Sequence, residues 1–577
     1  MKLHHVAAFA LIVALVAKIS IPLLTPVDDS YITMRFAENV SRGLGIVYNE
    51  GQRVEGTTSI GFMALLAFFG LIGIRRLDII AMLIGVLAFI ATVVLAWRFI
   101  SRQHKGPLGR PEAFTLAFLC GSLSIWVWTW SGMETPLLIL AYLGAFLIHL
   151  HEQERERGFP WASALVTVGA GMLHPDGILI AAPLFLSWLI PFNRRRAVRG
   201  FFYGFLSTIL FGVFWAARWA YFGFPMPNTY YAKMSNAGFG LIRLGIIYFL
   251  VFYIATLVPF FATVFGIELR KHWRTWPRWI WLAFGMAAAN TAGVVSMGGD
   301  FYPFHRFMMP SLPLITLVFW KFYRDRTGLR PAKISKRVGK QVQAPATAQN
   351  QTGQKISVPY SFNKGLAKSF LVVILMNVFA FVWTIQGIMF DALQKVVKDF
   401  TVTGRAFSEL MPNDHTVATL PIGAFGFFSG LPILDMAGLV EVSIAHRPLP
   451  TGHHLVGHEK VDHAYILSFC PEVVLLNPGL YRRGDKGLLE WMSENSNSTW
   501  QYTLLEEPEL HESYKLCFVP VTHEKGCIGF LRKDLVGTEG YAKWQPFSEE
   551  AEDFAYTIPW IARAKPTHNR RFGAWIF

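Results

Sequence analysis

Two adjacent carboxylates, Asp28 and Asp29, begin a polar segment that follows a long apolar stretch. A carboxylate can remove the proton of a hydroxyl group and so act as a general base. Two neighbouring carboxylates at a membrane boundary repel each other, and such pairs persist more easily where a proton, a cation or a substrate hydroxyl uses them. The simpler alternative is that one Asp only caps a helix. Residues i and i+1 of a helix diverge by about 100°, so one of the two should face a cavity; we favour Asp29 and keep both as candidates.

Other polar residues recur where apolar stretches end. Each is common in solvated loops, but the predicted topology gathers them on the same face as the acidic pair. Carboxylates and cations on one face could hold a base together with groups that bind a phosphate, whereas a transporter would place polar groups near mid-membrane. The residues are Glu55, Glu134, His174, Asp176, Asn228, Tyr230, Tyr231, Lys233, Asp300, His305 and Arg306.

The composition indicates a membrane protein. Apolar residues make up 53% of the chain and charged residues 16%, below the roughly 25% of soluble domains. A hydrocarbon core of about 30 Å needs about 20 apolar residues per helix. About eleven stretches are candidates, and we read the first as a retained span because no cleavage site follows it. They are residues 4–24, 77–97, 113–130, 136–150, 160–173, 177–192, 201–222, 241–267, 279–297, 307–321 and 368–390.

The positive charge predicts the orientation. The net charge is +15, and the basic runs fall in alternate loops, such as 98–110, 194–196 and 321–368. Cytoplasmic loops carry the excess of Lys and Arg, so the N-terminus is expected inside and the polar segment at 25–76 outside. Residues 59–74 are apolar but short, and we expect an interfacial or re-entrant helix there. The basic excess is therefore a topology signal and gives no reason to expect a nucleic-acid partner.

Two predicted units follow from this pattern. Residues 1–390 form a transmembrane domain with the outer loop 25–76 and a flexible cytoplasmic loop at 327–364, which is polar and rich in Lys, Gln and Pro. Residues 391–577 have the composition of a globular domain, with short strand-like runs and turns, and an odd number of spans places them outside the membrane.

The cysteines and histidines of the C-terminal region give weaker signals. A Cys517–Cys527 disulfide is one option, and no CxxC pair exists. A histidine-rich stretch favours a polar surface over a metal site, because its spacing is irregular and no Cys or carboxylate completes a tetrahedral ligand set; we therefore predict no metal site. Its members are His446, His453, His454, His458 and His463.

The motifs carry a family resemblance. The run at 28–39, followed by 43–51 and 54–58, resembles the first outer loop of bacterial GT-C glycosyltransferases. More closely, it is similar to the terminal arabinofuranosyltransferase family of the mycobacterial cell wall and its proteobacterial relatives. The segments 131–134, 174–177, 227–231 and 298–306 fit in the same order, with a looser match at 435–439. One departure is His174, where the family pattern leads us to expect Arg.

The resemblance implies a fold and an activity. The fold would be an α-helical polytopic membrane protein of GT-C type, with about 11 transmembrane helices and a C-terminal α/β extracytoplasmic domain. The activity would be transfer of a sugar, such as arabinofuranose, from a polyprenyl-phosphate donor to a cell-envelope glycan or other acceptor on the outer face of the bacterial inner membrane. The reaction would be a single displacement with inversion, and no cofactor is required, although some related enzymes use a divalent cation.

The resemblance also implies roles for the polar residues. Asp28 or Asp29 would be the general base. Lys233, His305 and Arg306 would stabilise the phosphate of the donor, with Arg35 expected to face solvent from the loop helix. The remaining set would contact the sugars: Glu55, Glu134, His174, Asp176, Asn228, Tyr230, Tyr231 and Asp300.

Two other functional classes stay open. A transporter of lipid-linked sugars predicts polar residues within spans and internal repeats; Lys18 and Arg218 lie within spans, but no repeat is evident. A non-catalytic membrane scaffold linked to flagellar motor control, as some relatives of this group are, predicts that Asp28 and Asp29 can be replaced without effect. The sequence identifies neither the donor sugar nor the acceptor.

Overall fold

A computed structural model describes residues 25–103, 109–155, 158–234, 238–255, 275–326, 385–448, 460–482, 504–505 and 507–547. Several sequence predictions lie outside these residues. They are the first span at 4–24, the end of the span at 241–267, most of the span at 368–390, the loop at 327–364, and His453, His454 and His458.

The N-terminal two thirds of the described chain is helical. Its helices are α1 (Asp28–Ser41), α2 (Ile60–Leu71), α3 (Leu77–Gln103), α4 (Arg110–Gly121), α5 (Leu123–Trp130), α6 (Thr135–Glu154), α7 (Trp161–Leu173), α8 (Ala181–Leu189), α9 (Arg194–Phe222), α10 (Asn228–Met234), α11 (Gly238–Ala255), α12 (Arg278–Ser296) and α13 (Leu312–Arg326). Two 3₁₀ helices, Pro175–Ile180 and Arg306–Ser311, precede α8 and α13.

Several of these helices have the length and composition of membrane spans. Among the described residues, α3, α6, α9 and α12 are long and apolar enough to cross a bilayer, and the number rises to six if each of two bent helix pairs is one span. The 29 residues of α9 extend about 43 Å, more than the hydrocarbon core requires. Large apolar side chains such as Leu87 and Phe205 are exposed on the outside of the bundle. The chain is therefore a multi-pass membrane protein.

Helix α2 behaves differently from its long neighbours. It has 12 residues and extends about 18 Å, which is too short to span. Phe62 and Leu66 on one side are buried, while Phe68 and Leu71 on the other are exposed. An apolar helix that is half buried and too short to cross suits the interfacial or re-entrant position that the charge pattern predicts.

Local sequence explains where the longest helix begins and ends. The side chain of Asn193 accepts a hydrogen bond from the backbone N–H of Arg195 at 2.9 Å, which satisfies one of the free amides at the start of α9. Gly223 follows the last turn with φ of 84°, a conformation that glycine adopts at little cost. Since Arg194 begins α9 and Phe222 ends it, the basic run and the candidate site residues lie at opposite ends of the bundle.

The C-terminal part combines helices with one mixed sheet. Its helices are α14 (Ile385–Leu410), α15 (Gly423–Ser429), α16 (Val442–Ala445), α17 (His463–Ser468) and α18 (Pro508–Ser513). Its strands are β1 (Val417–Thr419), β2 (Ile433–Asp435), β3 (Val473–Leu475), β4 (Tyr481–Arg482), β5 (Tyr514–Pro520), β6 (Lys525–Arg532) and β7 (Gln545–Pro546). The strand order is β2-β1-β3-β6-β5-β7, with β4 paired to β6, and β1 is parallel to both β2 and β3.

Both faces of this sheet are buried. Successive side chains of a strand point to opposite faces, and the residues on each face are apolar and pack in a hydrophobic core. Val417 and Val473 face a core that also contains residues of α1 and α2, whereas Ala418 and Val474 face a second core. Cys517 lies opposite Gly529 in the β5–β6 pairing, and Cys527 lies opposite Val519. Both cysteines are free thiols, so the disulfide considered from the sequence does not form, because the register does not oppose them.

The C-terminal part and the first polar loop share one hydrophobic core. Tyr31 and Phe36 of α1 pack in the same cluster as Phe425 of α15 and Phe407 of α14. The ring of Tyr31 lies 5.5 Å from that of Phe427. The predicted boundary near residue 390 therefore separates two parts of the chain that pack together.

Candidate functional site

The two adjacent carboxylates have different surroundings. One oxygen of Asp28 accepts the backbone N–H of Ala424 at 2.8 Å, and the other accepts that of Gly423 at 3.1 Å. Burial raises the pKa of Asp28 to about 7; these N–H bonds act in the opposite direction, and the charge of Asp29 adds to the increase. Asp29 is half-buried, and its charge acts on Asp300, Tyr302 and Arg306. The two side chains thus diverge as expected for neighbours at a helix start.

A buried ion pair lies close to Asp29. Arg306 Nε is 2.8 Å from a carboxylate oxygen of Asp300, and both side chains are less than a tenth exposed. The guanidinium also packs 4.5 Å from the ring of Phe307. Asp29, Asp300 and Glu134 all attract the charge of Arg306, so three carboxylates converge on one permanent cation. Such a cation is held in place and remains protonated at every physiological pH.

Two further groups join this charged cluster. His174 Nδ1 is 3.3 Å from a carboxylate oxygen of Asp176. Burial lowers the pKa of His174, but the Asp176 carboxylate, with Glu134, more than offsets this, so the pKa lies above its ordinary value. Lys233, at the end of α10, is close enough for its charge to act on Asp300. The structure therefore brings together Asp29, Glu134, His174, Asp176, Lys233, Asp300 and Arg306, and we call these seven residues the charged cluster.

Glu55 lies in a separate ion pair. Arg218 Nε donates to both of its carboxylate oxygens at 2.7 and 2.8 Å, and Nη2 lies 2.6 Å from one of them. Both side chains are almost fully buried. This pairing gives Arg218, which the sequence shows within a predicted span, a structural partner. The sugar-binding role of Glu55 stays a prediction.

Asn228 and Tyr231 of α10 contact the C-terminal part. The side-chain amide of Asn228 donates to the carbonyl oxygen of Gly438 at 2.8 Å and to that of Leu439 at 3.1 Å. The ring of Tyr231 stacks on His446 with a centroid distance of 4.0 Å, and Tyr230 is 38% exposed beside it. Tyr230 is thus the more accessible of the two tyrosines to a ligand, while Asn228 joins two parts of the fold.

His305 is buried against aromatic rings. Its ring lies 5.1 Å from Tyr248 and 5.7 Å from Phe252. Burial lowers the pKa of His305 to about 4, so the imidazole is neutral near pH 7. A neutral ring contributes no net charge to a phosphate site, and Lys233 and Arg306 are better suited to that predicted role.

Some residues that shape the site escaped the sequence reasoning. Arg35 was expected to face solvent, but it is buried and donates to the carbonyl oxygens of Gly426 at 2.6 Å and Leu431 at 2.7 Å. The expectation was wrong because these two acceptors lie 391 and 396 residues away in the chain. Tyr302 is buried beside Asp29, and Trp128 Nε1 donates to the carbonyl oxygen of Phe304 at 3.0 Å, holding the loop before Arg306.

An apolar groove leads away from the charged cluster. Two adjoining cavities of about 450 and 320 Å³ lie between α9, the 3₁₀ helix Pro175–Ile180 and α12. They share Ile178, Phe211 and Trp215, and Gly212, which has no side chain, leaves the groove open. Asp176 lines the second cavity and pairs with His174, so the groove ends at the charged cluster.

The arrangement defines a class of site: a membrane bundle with carboxylates, fixed cations and an adjoining apolar groove at one end.

A family profile described as "Domain of unknown function (DUF8728)" matches residues 391–523. A curated relative, the terminal beta-(1->2)-arabinofuranosyltransferase of Mycobacterium tuberculosis, is 28% identical over 223 residues, which cover 36% of this chain and 34% of the relative. The chain thus matches about a third of that relative's length, and the predicted resemblance to terminal arabinofuranosyltransferases is confirmed.

Two solved structures are also similar. The crystal structure of ArnT from Cupriavidus metallidurans bound to undecaprenyl phosphate aligns with a TM-score of 0.47 and 13% identity, covering 93% of this chain and all (100%) of that one. The oligosaccharyltransferase of Archaeoglobus fulgidus in its apo form aligns with a TM-score of 0.42 and 12% identity, covering 96% of this chain and 81% of that one.

Proposed function

We propose that this protein is a GT-C glycosyltransferase that moves a sugar from a polyprenyl-phosphate donor to an acceptor hydroxyl outside the membrane. The observation that carries the proposal is the placement of Asp29 beside the Asp300–Arg306 pair. A base for the acceptor and a permanent cation for a leaving phosphate are the two groups that such a transfer needs, and they lie in one charged cluster.

The reaction would be a single displacement. Asp29 takes the proton of the acceptor hydroxyl while the oxygen of that hydroxyl forms a bond to the anomeric carbon of the donor. The bond from that carbon to the phosphate oxygen breaks, and the electron pair leaves with the polyprenyl phosphate, while the anomeric configuration inverts. Arg306 and Lys233 stabilise the charge on the departing phosphate, so no strong general acid is required.

The apolar groove supports a lipid-linked donor. A hydrocarbon chain between α9 and α12 would contact Phe211 and Trp215 and place its polar end near Asp176 and His174. Continuity between the groove and the charged cluster favours a ligand with an apolar tail and an anionic head over a free sugar nucleotide. The relative's arabinofuranosyl transfer suggests the first donor to test.

The orientation and the second unit are part of the same proposal. The basic residues Arg194, Arg196 and Arg278 lie at the helix ends opposite the charged cluster. The positive-inside rule then places the cluster and the mixed sheet on the outer face of a bacterial inner membrane, with residues 391–577 as an extracytoplasmic α/β domain over the site. The acceptor would be a glycan or another envelope component.

Turnover with defined donors tests the proposal. Purified protein in nanodiscs would be incubated with a panel of polyprenyl-phosphate sugars, including arabinofuranose, and a set of oligosaccharide acceptors. We expect released polyprenyl phosphate and elongated acceptor in equal amounts from at least one donor, and much less from Asp29→Asn. Absence of turnover with every donor, or equal turnover by the variant, would contradict the proposal.

A further inference from the structure

Helix α15 in the C-terminal part is held at both ends by one helix of the first polar loop. Asp28 accepts the N–H groups of Gly423 and Ala424, where α15 begins. Arg35 donates to the carbonyl oxygens of Gly426 and Leu431, where α15 ends. The carboxylate thus lies at the positive end of this short helix and the guanidinium at its negative end, as the helix dipole favours.

The spacing of the two charged residues matches the length of α15. Asp28 and Arg35 are seven residues apart on α1, two turns and about 10 Å along the helix axis, and they share one face. Helix α15 also has seven residues and extends about 10 Å. The two helices therefore run in the same direction, and the charges of Asp28 and Arg35, two turns apart on α1, meet the matching ends of α15.

Two glycines allow the helices to approach. A Cβ atom at Gly423 would collide with the main chain of Asp28, and one at Gly426 would collide with the Tyr48 hydroxyl. The same hydroxyl donates to the carbonyl oxygen of Ile422 at 2.6 Å. The contact is thus specified by side-chain charge, by hydrogen bonds and by the absence of side chains at two positions of α15.

We infer that Asp28 is a positioning residue: together with Arg35 it clamps α1 onto α15, and this clamp fixes Asp29 toward Arg306. Asp28 and Asp29 are adjacent at the start of α1. A rotation of α1 by about 100°, the angle between successive residues, would therefore turn Asp29 out of the charged cluster. The C-terminal part would then be a component of the active site. This inference rests on the proposed function for its readout but assigns a role that the proposed function leaves open.

Kinetics of four variants in the full-length protein test the clamp. Asp28→Asn keeps one oxygen that can accept a backbone N–H, whereas Asp28→Leu keeps none and Arg35→Met removes the other end. Arg42→Met is the matched control, since Arg42 lies on the same helix in an exposed pair with Glu38. We expect Asp28→Leu and Arg35→Met to lower kcat roughly 100-fold with little change in donor KM, because misplacing a reacting group by about 1 Å has such an effect. Asp28→Asn keeps one of the two acceptors, so it should lose less kcat than Asp28→Leu, and Arg42→Met should match the wild type.

Two results would overturn the inference. Loss of kcat in Asp28→Asn as large as in Asp29→Asn would place Asp28 in the chemistry. Unchanged kcat in Arg35→Met would show that the clamp does not position the base. Hydrogen–deuterium exchange at Gly423–Ser429 separates this inference from the proposed function: Asp28→Leu and Arg35→Met should increase exchange there even if no donor is turned over, while unchanged exchange would remove the clamp itself.

Discussion

The Glu55–Arg218 pair gives a prediction whose size follows from burial. The side chains are 3% and 4% exposed, and the guanidinium contacts both carboxylate oxygens. Replacing Glu55 with Leu leaves Arg218 as a buried charge without its anion. Breaking a buried ion pair in this way costs about 3–5 kcal/mol. The remaining bond from Arg218 to the carbonyl oxygen of Pro225 at 2.7 Å, and its position 4.2 Å from the Trp215 ring, place the expected loss near the lower limit, about 3 kcal/mol.

A double-mutant cycle separates this structural role from a sugar-binding one. Replacing both residues, as in Glu55→Leu with Arg218→Met, substitutes an apolar pair of similar volume, which is commonly neutral or stabilising. The double variant should therefore recover most of the stability that Glu55→Leu loses. Arg218→Met alone should be milder at low pH, because burial already raises the pKa of Glu55 and the carboxylate can take up a proton.

The assay is unfolding of the four proteins in one detergent, followed by tryptophan fluorescence at pH 5 and pH 8. Donor binding would be measured on the same samples. The reasoning would be refuted if Glu55→Leu kept wild-type stability, or if the double variant were as unstable as Glu55→Leu. Wild-type stability together with weakened donor binding would instead return Glu55 to the sugar-binding role predicted from sequence.

Two further predictions follow from the C-terminal part and from the groove. Burial raises the pKa of Asp435 from about 3.8 to about 6, even though it accepts N–H groups of Val440 and Ala437. Because the folded pKa is raised, the Asp435 carboxyl contributes stability that is fully present below its unfolded pKa and is lost as pH rises through 6, a change of about 3 kcal/mol. The stability difference between wild type and Asp435→Asn should therefore change between pH 4 and pH 8. Parallel unfolding profiles of the two proteins over this range would contradict the prediction. A Cβ atom at Gly212, which lines the groove, or at Gly144, which does not, would meet nothing within 4 Å. Gly212→Leu should fill the groove and weaken photo-crosslinking to undecaprenyl phosphate, whereas the control Gly144→Leu should not. Equal crosslinking of the two variants would exclude the groove as the lipid site.

Much of the bundle could be predicted from hydropathy and charge. A run of about 20 apolar residues has few alternatives to a membrane helix, so α3, α6, α9 and α12 coincide with predicted spans. The short helix α2 was also expected, because a span there would reverse the side of every later basic loop. These predictions depend on local composition, which a single sequence displays fully.

Long-range partners could not be predicted in the same way. The pairing of Arg35 with Gly426 depends on backbone carbonyls of α15, and those atoms carry no sequence signal. The different surroundings of Asp28 and Asp29 likewise depend on where α15 lies. The polar residues at the helix ends were predicted as one group. Only contacts such as Asp300 with Arg306 and Glu55 with Arg218 divide them between the charged cluster and a separate ion pair.

The most direct test of the central claim is the rate of sugar transfer in a single turnover by wild type and Asp29→Asn, at saturating donor and acceptor. Binding of undecaprenyl phosphate to both proteins would be measured in parallel. The carboxamide keeps the shape of the side chain and removes the base, so we expect the rate to fall by about 10²–10⁴-fold while lipid binding is unchanged. A rate in Asp29→Asn within a factor of about two of the wild type would contradict the assignment of Asp29 as the group that takes the acceptor proton.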